Sequence, residues 1–229
     1  MNFKYLCQQY NLGRFLGVSE LESGTVSRVW KLDTDSGAFL VRTLRDREQG
    51  QHEWDICRHL RKGGFTAMPS ILVPCAEQGG ICYQVQEYLT GSMPHPDQPG
   101  VAAAMARLVK QLMAAMPQGM IHGDLGPWNI LQCENGRLVV IDLGEAREGD
   151  PYFDCASMLA GVINHTPPAL RESICGAFVR ELDCDRTYLL EQLRLWAEQG
   201  IENWTGRNEA MVSRFINARE WAEEHLYEL

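Results

Sequence analysis

Apolar residues alternate with polar ones in the first part of the chain and follow helical spacing in the second part. Alternation and β-branched residues predict strands in the runs 29–32, 38–44 and 81–89. In the second part, apolar residues recur every three or four positions, which is typical of amphipathic helices. This pattern predicts helices at about 101–116, 167–182, 185–199 and 206–226.

One helix is predicted among the strands. Residues 45–62 carry apolar side chains at helical spacing, and a Gly-Gly pair ends the run. Two prolines then frame a short predicted strand, 71–73, and a Gly-Gly turn precedes the strand at 81–89. Residues 1–20 predict a helix that leads into a strand.

A proline- and glycine-rich loop, residues 93–100, separates the two patterns. We therefore predict two lobes, an N-terminal lobe at 1–91 and a C-terminal lobe at 92–229. The predicted fold class is α+β, with a small antiparallel sheet and one helix in the first lobe. The second lobe is predicted to be mainly helical.

The densest polar chemistry lies at residues 121–142, IHGDLGPWNILQCENGRLVVID. Asp124 and Asn129 lie in a polar loop between apolar runs. An Asn-Gly turn then predicts a hairpin, and Asp142 follows its second strand. Such a loop brings two carboxylates and an amide together, and these oxygen donors suit Mg²⁺. The stretch therefore predicts a magnesium site.

The order of these residues resembles the aminoglycoside phosphotransferase/choline kinase family of the protein-kinase-like superfamily. HGDLGPWN matches the family pattern HGDxxxxN, and IDLGEAREGDPYFD matches IDxxxxxxGDPxxD. The resemblance implies a bilobal protein-kinase-like fold and transfer of the ATP γ-phosphoryl group to a hydroxyl. It also implies that Asp124 is the catalytic base and that Asn129 and Asp142 hold Mg²⁺.

The resemblance also implies that the N-terminal lobe binds the nucleotide. Gly24 and its small neighbours would let backbone N–H groups approach phosphates, and Gly24 and Ser27 resemble the family's short phosphate loop. Arg42 is a cation on an otherwise apolar strand face, so it needs an anionic partner. The resemblance implies that Arg42 holds the α- and β-phosphates, with Glu53 as its partner and Glu48 as the alternative.

Four further residues are assigned through the resemblance. The segment EYLTG is similar to the family hinge, which implies adenine contacts from the Glu87 carbonyl and the Leu89 N–H. Asp154 is predicted to open a helix at about 152–162 and to brace the catalytic loop through backbone hydrogen bonds. His122 is expected to support the same loop.

Composition argues against several other classes of protein. The net charge of −9 argues against a nucleic-acid partner, and no apolar run is long enough for a membrane span. The N-terminus lacks the apolar core of a signal peptide, so we expect a cytoplasmic protein with reduced cysteines. After residue 142 the chain carries sixteen acidic and eight basic side chains. This excess either attracts a cationic substrate or covers solvated helix faces.

The predicted function is ATP-dependent phosphoryl transfer to a small-molecule hydroxyl, on an aminoglycoside, amino alcohol or sugar. Thirty residues separate Gly91 from His122, enough for one helix, which predicts a small or open acceptor pocket. The short connection keeps a minimal protein serine/threonine kinase as the alternative. A third hypothesis is a non-catalytic nucleotide-binding protein, and the intact Asp124, Asn129 and Asp142 argue against it.

Overall fold

The computed structural model describes residues 1–21 and 27–229. Its first part is a sheet of five antiparallel strands in the order β1-β2-β3-β5-β4. The strands are β1 (Phe15–Leu21), β2 (Val29–Thr34), β3 (Gly37–Thr43), β4 (Ile71–Gln78) and β5 (Ile81–Glu87).

Within the described residues the chain forms seven α-helices. They are α1 (Phe3–Gln9), α2 (Arg47–Lys62), α3 (Val101–Ala115), α4 (Pro151–His165), α5 (Arg171–Leu182), α6 (Arg186–Trp204) and α7 (Glu209–His225). The predicted helices, including the one expected within residues 1–20, are confirmed within about five residues, and so is the α+β class. With α1 the first part has two helices instead of the one predicted for the lobe. None of these helices is both long enough and apolar enough to cross a bilayer.

Five short strands frame the polar loops of the second part. They are β6 (Gly91–Ser92), β7 (Met120–Ile121), β8 (Ile130–Cys133), β9 (Leu138–Val140) and β10 (Arg147–Glu148). The hairpin β8–β9 has the predicted Asn-Gly turn, and β6 pairs with the outer side of β8. Strands β7 and β10 pair with each other, so the segments on either side of the hairpin converge.

Strand β4 is longer than predicted. The strand continues through Pro74 to Gln78, so the prediction that it ends at Val73 was wrong. Proline has no N–H for a ladder hydrogen bond, and it is tolerated at sheet edges and irregularities. Both conditions hold here, because β4 is an edge strand and its pairing with β5 shifts between Val73 and Ala76.

Helix α4 begins earlier than predicted. The side chain of Asp150 accepts a hydrogen bond from the Tyr152 N–H at 2.9 Å and caps the helix, whose first residue is Pro151. An Asp cap followed by proline is a favourable helix start. The helix thus begins one residue before the predicted start, and Asp154 lies in its first turn, where it is buried.

Two apolar cores support these elements. The smaller core packs α1 on the sheet, with Leu6 against residues such as Val41 and Val85. The larger core contains side chains from every helix from α3 to α7, and it also contains Leu60 from the second half of α2. Helix α2 therefore contributes a side chain to the helical core while it packs on β4 of the sheet.

Gly161 on α4 provides a stability test, because a Cβ at this position would overlap the Pro127 ring of the Asp124 loop. We expect Gly161→Ala to lower the free energy of unfolding by about 1–3 kcal/mol, as overpacking does. Gly176 on α5 is the matched control, since its Cβ would meet only the flexible end of Arg180, 2.9 Å away.

Gly176→Ala should be neutral or stabilising by up to ~1 kcal/mol, because alanine favours helix more than glycine does. Urea unfolding of the three proteins measures both effects. Equal destabilisation by the two substitutions would contradict the close packing of α4 on the loop.

Candidate active site

The loop between β7 and β8 holds Asp124 in a fixed orientation. Asn129 donates its side-chain amide to the Asp124 carbonyl at 2.7 Å and to Asp124 Oδ2 at 3.0 Å. The indole Nε1 of Trp128 donates to the other carboxylate oxygen, Oδ1, at 3.3 Å. Both donors belong to a single 3-10 turn, Pro127–Asn129, that leads directly into β8.

The buried carboxylate of Asp154 anchors the start of this loop. Its two oxygens accept hydrogen bonds from the backbone N–H groups of His122 at 2.7 Å and Gly123 at 3.0 Å. Gly123 has a φ of +84°, and a Cβ there would lie 2.7 Å from the Glu145 carbonyl oxygen. The buried His122 ring contacts the Ile141 carbonyl oxygen through Nε2 at 3.1 Å. The loop is therefore tied to both α4 and the end of β9.

Asp142 follows β9 and adjoins Asn129. The hairpin register pairs Ile130 with Val140, and the Ile141 N–H then donates to the Asn129 carbonyl at 3.0 Å. The Asp142 backbone is left-handed, with φ 60° and ψ 61°, which is uncommon for a residue with a side chain. Its carboxylate remains exposed. A carboxylate and an amide that could both ligate a hard cation thus lie on adjacent segments.

The Arg42 guanidinium connects the sheet to Asp142. Its Nη1 donates to Asp142 Oδ1 at 2.8 Å, and its Nη2 donates to Glu53 on α2. Burial alone would lower the pKa of Arg42, but the two carboxylates outweigh burial and hold the pKa above its ordinary value. Glu48, the alternative partner, is exposed in the first turn of α2. The partner of Arg42 on α2 is therefore Glu53.

Gln84 is a member of this network that the sequence analysis missed. It is fully buried on β5, where its Oε1 accepts from Arg42 Nε at 3.1 Å and its Nε2 donates to Glu53 Oε2 at 3.0 Å. The side-chain amide of Gln86 donates in turn to Gln84 Oε1. Two glutamines at alternate positions of an otherwise apolar strand were the signal, because a buried amide requires partners.

Three other predicted nucleotide residues, Ser27, Glu87 and Leu89, lie near strand ends of the sheet. Ser27 is half-buried just before β2, and Gly24 lies outside the described residues. Glu87 is the last residue of β5 and forms two hydrogen bonds with Ser70. The Glu87 N–H donates to the Ser70 carbonyl at 2.8 Å, and the Ser70 N–H donates to the Glu87 carboxylate at 3.1 Å. Leu89 follows in the segment that connects β5 to β6. The roles of these residues stay predictions.

A family model of phosphotransferase enzymes matches the chain over two overlapping segments, residues 17–116 and 94–196. The chain belongs to the phosphotransferase enzyme family. This membership confirms the family resemblance seen in the HGD and GDP blocks. No curated protein sequence matches this phosphotransferase significantly.

Solved structures share the fold of the phosphotransferase at low sequence identity. An aminoglycoside phosphotransferase from Alicyclobacillus acidocaldarius is 13% identical with a TM-score of 0.71, and the match covers 92% of this chain and 90% of that one. Spectinomycin phosphotransferase, solved with ADP and spectinomycin, is 9% identical with a TM-score of 0.70 and 98% coverage of each chain.

A choline/ethanolamine kinase family protein from Mesorhizobium loti is 14% identical with a TM-score of 0.61. That match covers 93% of this chain and 92% of the other. These likenesses confirm the predicted bilobal protein-kinase-like fold of the phosphotransferase.

A cavity of about 470 Å³ opens beside Asp124. We call it the Asp124 cavity, and its walls come mainly from α4, α6 and α7, with Trp128 from the loop. Its size is that of a small-molecule site. The single helix α3 lies between Gly91 and His122 as predicted, but it supplies no lining residue among those described. Met93 is the residue of that connection that lines the cavity, and the other walls come from segments after His122.

The environment of Asp124 makes its carboxyl group a weaker acid than an ordinary aspartate. Desolvation in the cleft raises the pKa of the Asp124 carboxyl, and the nearby Asp142 carboxylate adds to the rise. The hydrogen bonds from Trp128 and Asn129 and the imidazole of His122 oppose it. A carboxylate with a raised pKa is a better proton acceptor than an ordinary aspartate at neutral pH.

Trp128→Phe tests this electrostatic description, because it keeps an aromatic ring and removes the N–H donor. We expect the pKa of Asp124 to rise further, since the lost hydrogen bond favours the charged carboxylate. The measurement is a ¹³C NMR titration of aspartate carboxyl carbons, with Asp124→Asn to assign the resonance. Trp204→Phe, in the same cavity wall, is the control and should leave the midpoint in place. A midpoint that moves to lower pH in Trp128→Phe would contradict the assigned hydrogen bond.

Proposed function

We propose that the phosphotransferase moves the γ-phosphoryl group of Mg-ATP to a hydroxyl of a small molecule bound in the Asp124 cavity. The hydroxyl oxygen forms a bond to the γ-phosphorus, the bond from that phosphorus to the bridging oxygen of ADP breaks, and Asp124 takes the hydroxyl proton. One observation carries the proposal: the Asp124 carboxylate lines the cavity while Asn129 links it to the segment of Asp142.

Asp124 acts as the catalytic base on this proposal. Its two oxygens are each held by a donor, so the carboxylate is already oriented before an acceptor binds. Positioning of this kind supplies much of the rate in phosphoryl transfer, where the protein performs little covalent chemistry. The raised pKa of Asp124 supports the same role.

Asn129 and Asp142 would hold Mg²⁺. The Asn129 amide nitrogen donates to Asp124, so the amide oxygen is its donor atom for a metal, and Asp142 offers an exposed carboxylate. Both are hard oxygen ligands of the type that magnesium prefers, so the residues fit the ion. When bound, Mg²⁺ neutralises the charge that develops on the phosphate oxygens.

The donor nucleotide would bind along the sheet. Arg42, positioned by Glu53, is proposed to hold the α- and β-phosphates, and Gly24 and Ser27 to cover them. The Glu87 carbonyl and the Leu89 N–H, at the end of β5, are proposed to contact adenine. The ADP bound to spectinomycin phosphotransferase, which has the same fold, supports a nucleotide as the donor.

Two residues next to the site are proposed to support it without contacting the substrates. His122 and Asp154 are proposed to hold the catalytic loop, which their hydrogen bonds to loop and strand backbone support. We also propose the lobe boundary at 91/92, with nucleotide binding by residues 1–91 and acceptor binding by residues 92–229. That division puts Asp124, Asp142 and the cavity walls in one lobe and Arg42 in the other.

A small molecule is the acceptor that the cavity favours. Helices α4, α6 and α7 surround the space beside Asp124, whereas a protein kinase binds its substrate on an open surface. An aminoglycoside phosphotransferase and a choline/ethanolamine kinase family protein share the fold, and these names support a small hydroxyl compound.

Replacement of Asp124 tests the chemical step. Asp124→Ala should lower the rate of phosphoryl transfer about 10²–10⁴-fold, the usual scale for an acid–base group. The assay follows labelled ATP with aminoglycosides, amino alcohols, sugars and generic protein acceptors. Glu134→Gln removes an exposed carboxylate in the β8–β9 turn and serves as the control with full activity. Wild-type rates in Asp124→Ala would remove Asp124 as the base, and label on proteins alone would overturn the small-molecule acceptor.

Binding of Mg-ATP tests the donor side independently of any acceptor. Saturating Mg-ATP should raise the unfolding temperature, because a ligand at a hundred times its Kd stabilises the folded state by about 2.7 kcal/mol. Asp142→Asn should lose most of this rise, since the variant lacks the proposed anionic metal ligand. ATP with EDTA is the matched condition without metal. A shift of equal size in wild type and Asp142→Asn would contradict the metal assignment.

A further inference from the structure

The Asp124 cavity contains a charged residue that the proposed transfer step does not use. Among the described lining residues, Arg214 is the one guanidinium and Asp124 the one carboxylate. Arg214 is exposed on α7, where its backbone carbonyl accepts a hydrogen bond from the Asn164 side chain of α4 at 3.1 Å. Within residues 1–21 and 27–229 its guanidinium forms no ion pair. The cation is therefore available to an acceptor.

Four large aromatic side chains line the same cavity. Trp196 and Phe215 pack against each other with ring centroids 4.5 Å apart. Trp128 and Trp204 also line the cavity, yet they are 39% and 37% exposed. Large exposed aromatic surface at a cavity is typical of a binding site. These walls suit an acceptor with a flat, apolar body.

Aromatic walls alone would also suit a cation, because the face of an indole attracts positive charge. The other groups of this cavity argue against a cation. Burial, together with the charges of Arg214 and His95, lowers the pKa of His165, so the imidazole near Arg214 is neutral at pH 7. An ammonium group in the cavity would face a guanidinium and would find a carboxylate only at Asp124.

The acidic surface of the chain does not reverse this local balance. The net charge is −9, but charges in water are screened over about 8 Å at physiological salt. A ligand inside the cavity therefore responds mainly to the groups that line it. A guanidinium is also well matched to a carboxylate, which it can bind through two parallel hydrogen bonds.

We propose that the acceptor is a hydroxyl compound with a flat apolar body and a carboxylate-type anionic group, which Arg214 binds, and that it is not a polycationic amino sugar. The inference rests on the proposed function and names the acceptor class for the same site. In the proposed complex, the aromatic side chains of the cavity contact the apolar body of the acceptor, Arg214 binds its anionic group, and its hydroxyl reaches Asp124.

Three probes of similar size and different charge test the acceptor class: 4-(hydroxymethyl)benzoate, 4-(hydroxymethyl)benzamide and 4-(hydroxymethyl)benzylamine. Calorimetric titration of the wild-type protein should show the benzoate binding about tenfold more tightly than the other two, the usual worth of a charge-assisted hydrogen bond. Arg214→Gln should abolish this preference, and Arg214→Lys should retain part of it. Kanamycin, a polycation, should bind more weakly than the benzoate.

Two results would overturn the acceptor class. Tighter binding of the benzylamine or of kanamycin would show that the rings select a cation. Absence of benzoate binding, or an undiminished preference in Arg214→Gln, would remove the role of Arg214. The Mg-ATP-dependent rise in unfolding temperature is measured on the same samples. If that rise persists while the benzoate fails, the acceptor class is wrong and the phosphotransferase assignment stands; loss of the rise would count against the proposed function itself.

Discussion

One buried guanidinium, that of Arg42, fixes the relation between the sheet and the polar loops. Glu53 on α2 and Asp142 after β9 share it, although a hundred residues separate Arg42 from Asp142. Removing a charge from water costs several kcal/mol, and the loss is recovered only where partners complete its hydrogen bonds. Gln84 completes the set of partners for Arg42. Because Arg42 needs these partners, its contacts favour the arrangement in which Asp142 lies beside the sheet.

Two further contacts hold the same segments from other directions. His52 on α2 contacts the Ala146 carbonyl oxygen at 2.6 Å, just beyond Asp142, and Asp154 on α4 binds the start of the Asp124 loop. Each contact joins a rigid helix to a short loop. A reaction that depends on position more than on covalent chemistry requires this kind of support. The proposed base and metal ligands thus lie on loops, but their positions are set by α2 and α4.

The sequence was informative where the signal was local. Helical spacing located α2, α3 and α5 to α7 within about five residues, and the HGD and GDP blocks located the polar loops and α4, because both signals lie within short stretches. The extension of β4 through Pro74 was missed, since it depends on the place of the strand at the sheet edge. The partner role of Gln84 and the walls of the Asp124 cavity were missed as well, because they arise from packing between segments distant in the chain.

Trp128 belongs to two parts of the site at once. Its ring forms part of the cavity wall, and its Nε1 binds the carboxylate of Asp124. Trp196, Trp204 and Phe215 come instead from α6 and α7, outside the Asp124 loop. On the proposed function, an exchange of side chains on these last helices would change the wall that faces the acceptor and would leave the hydrogen bonds of Asp124 intact. On the proposed roles, a change at Trp128 would alter both the wall that faces the acceptor and the hydrogen bond to the proposed base, whereas a change at Trp204 would alter the wall alone.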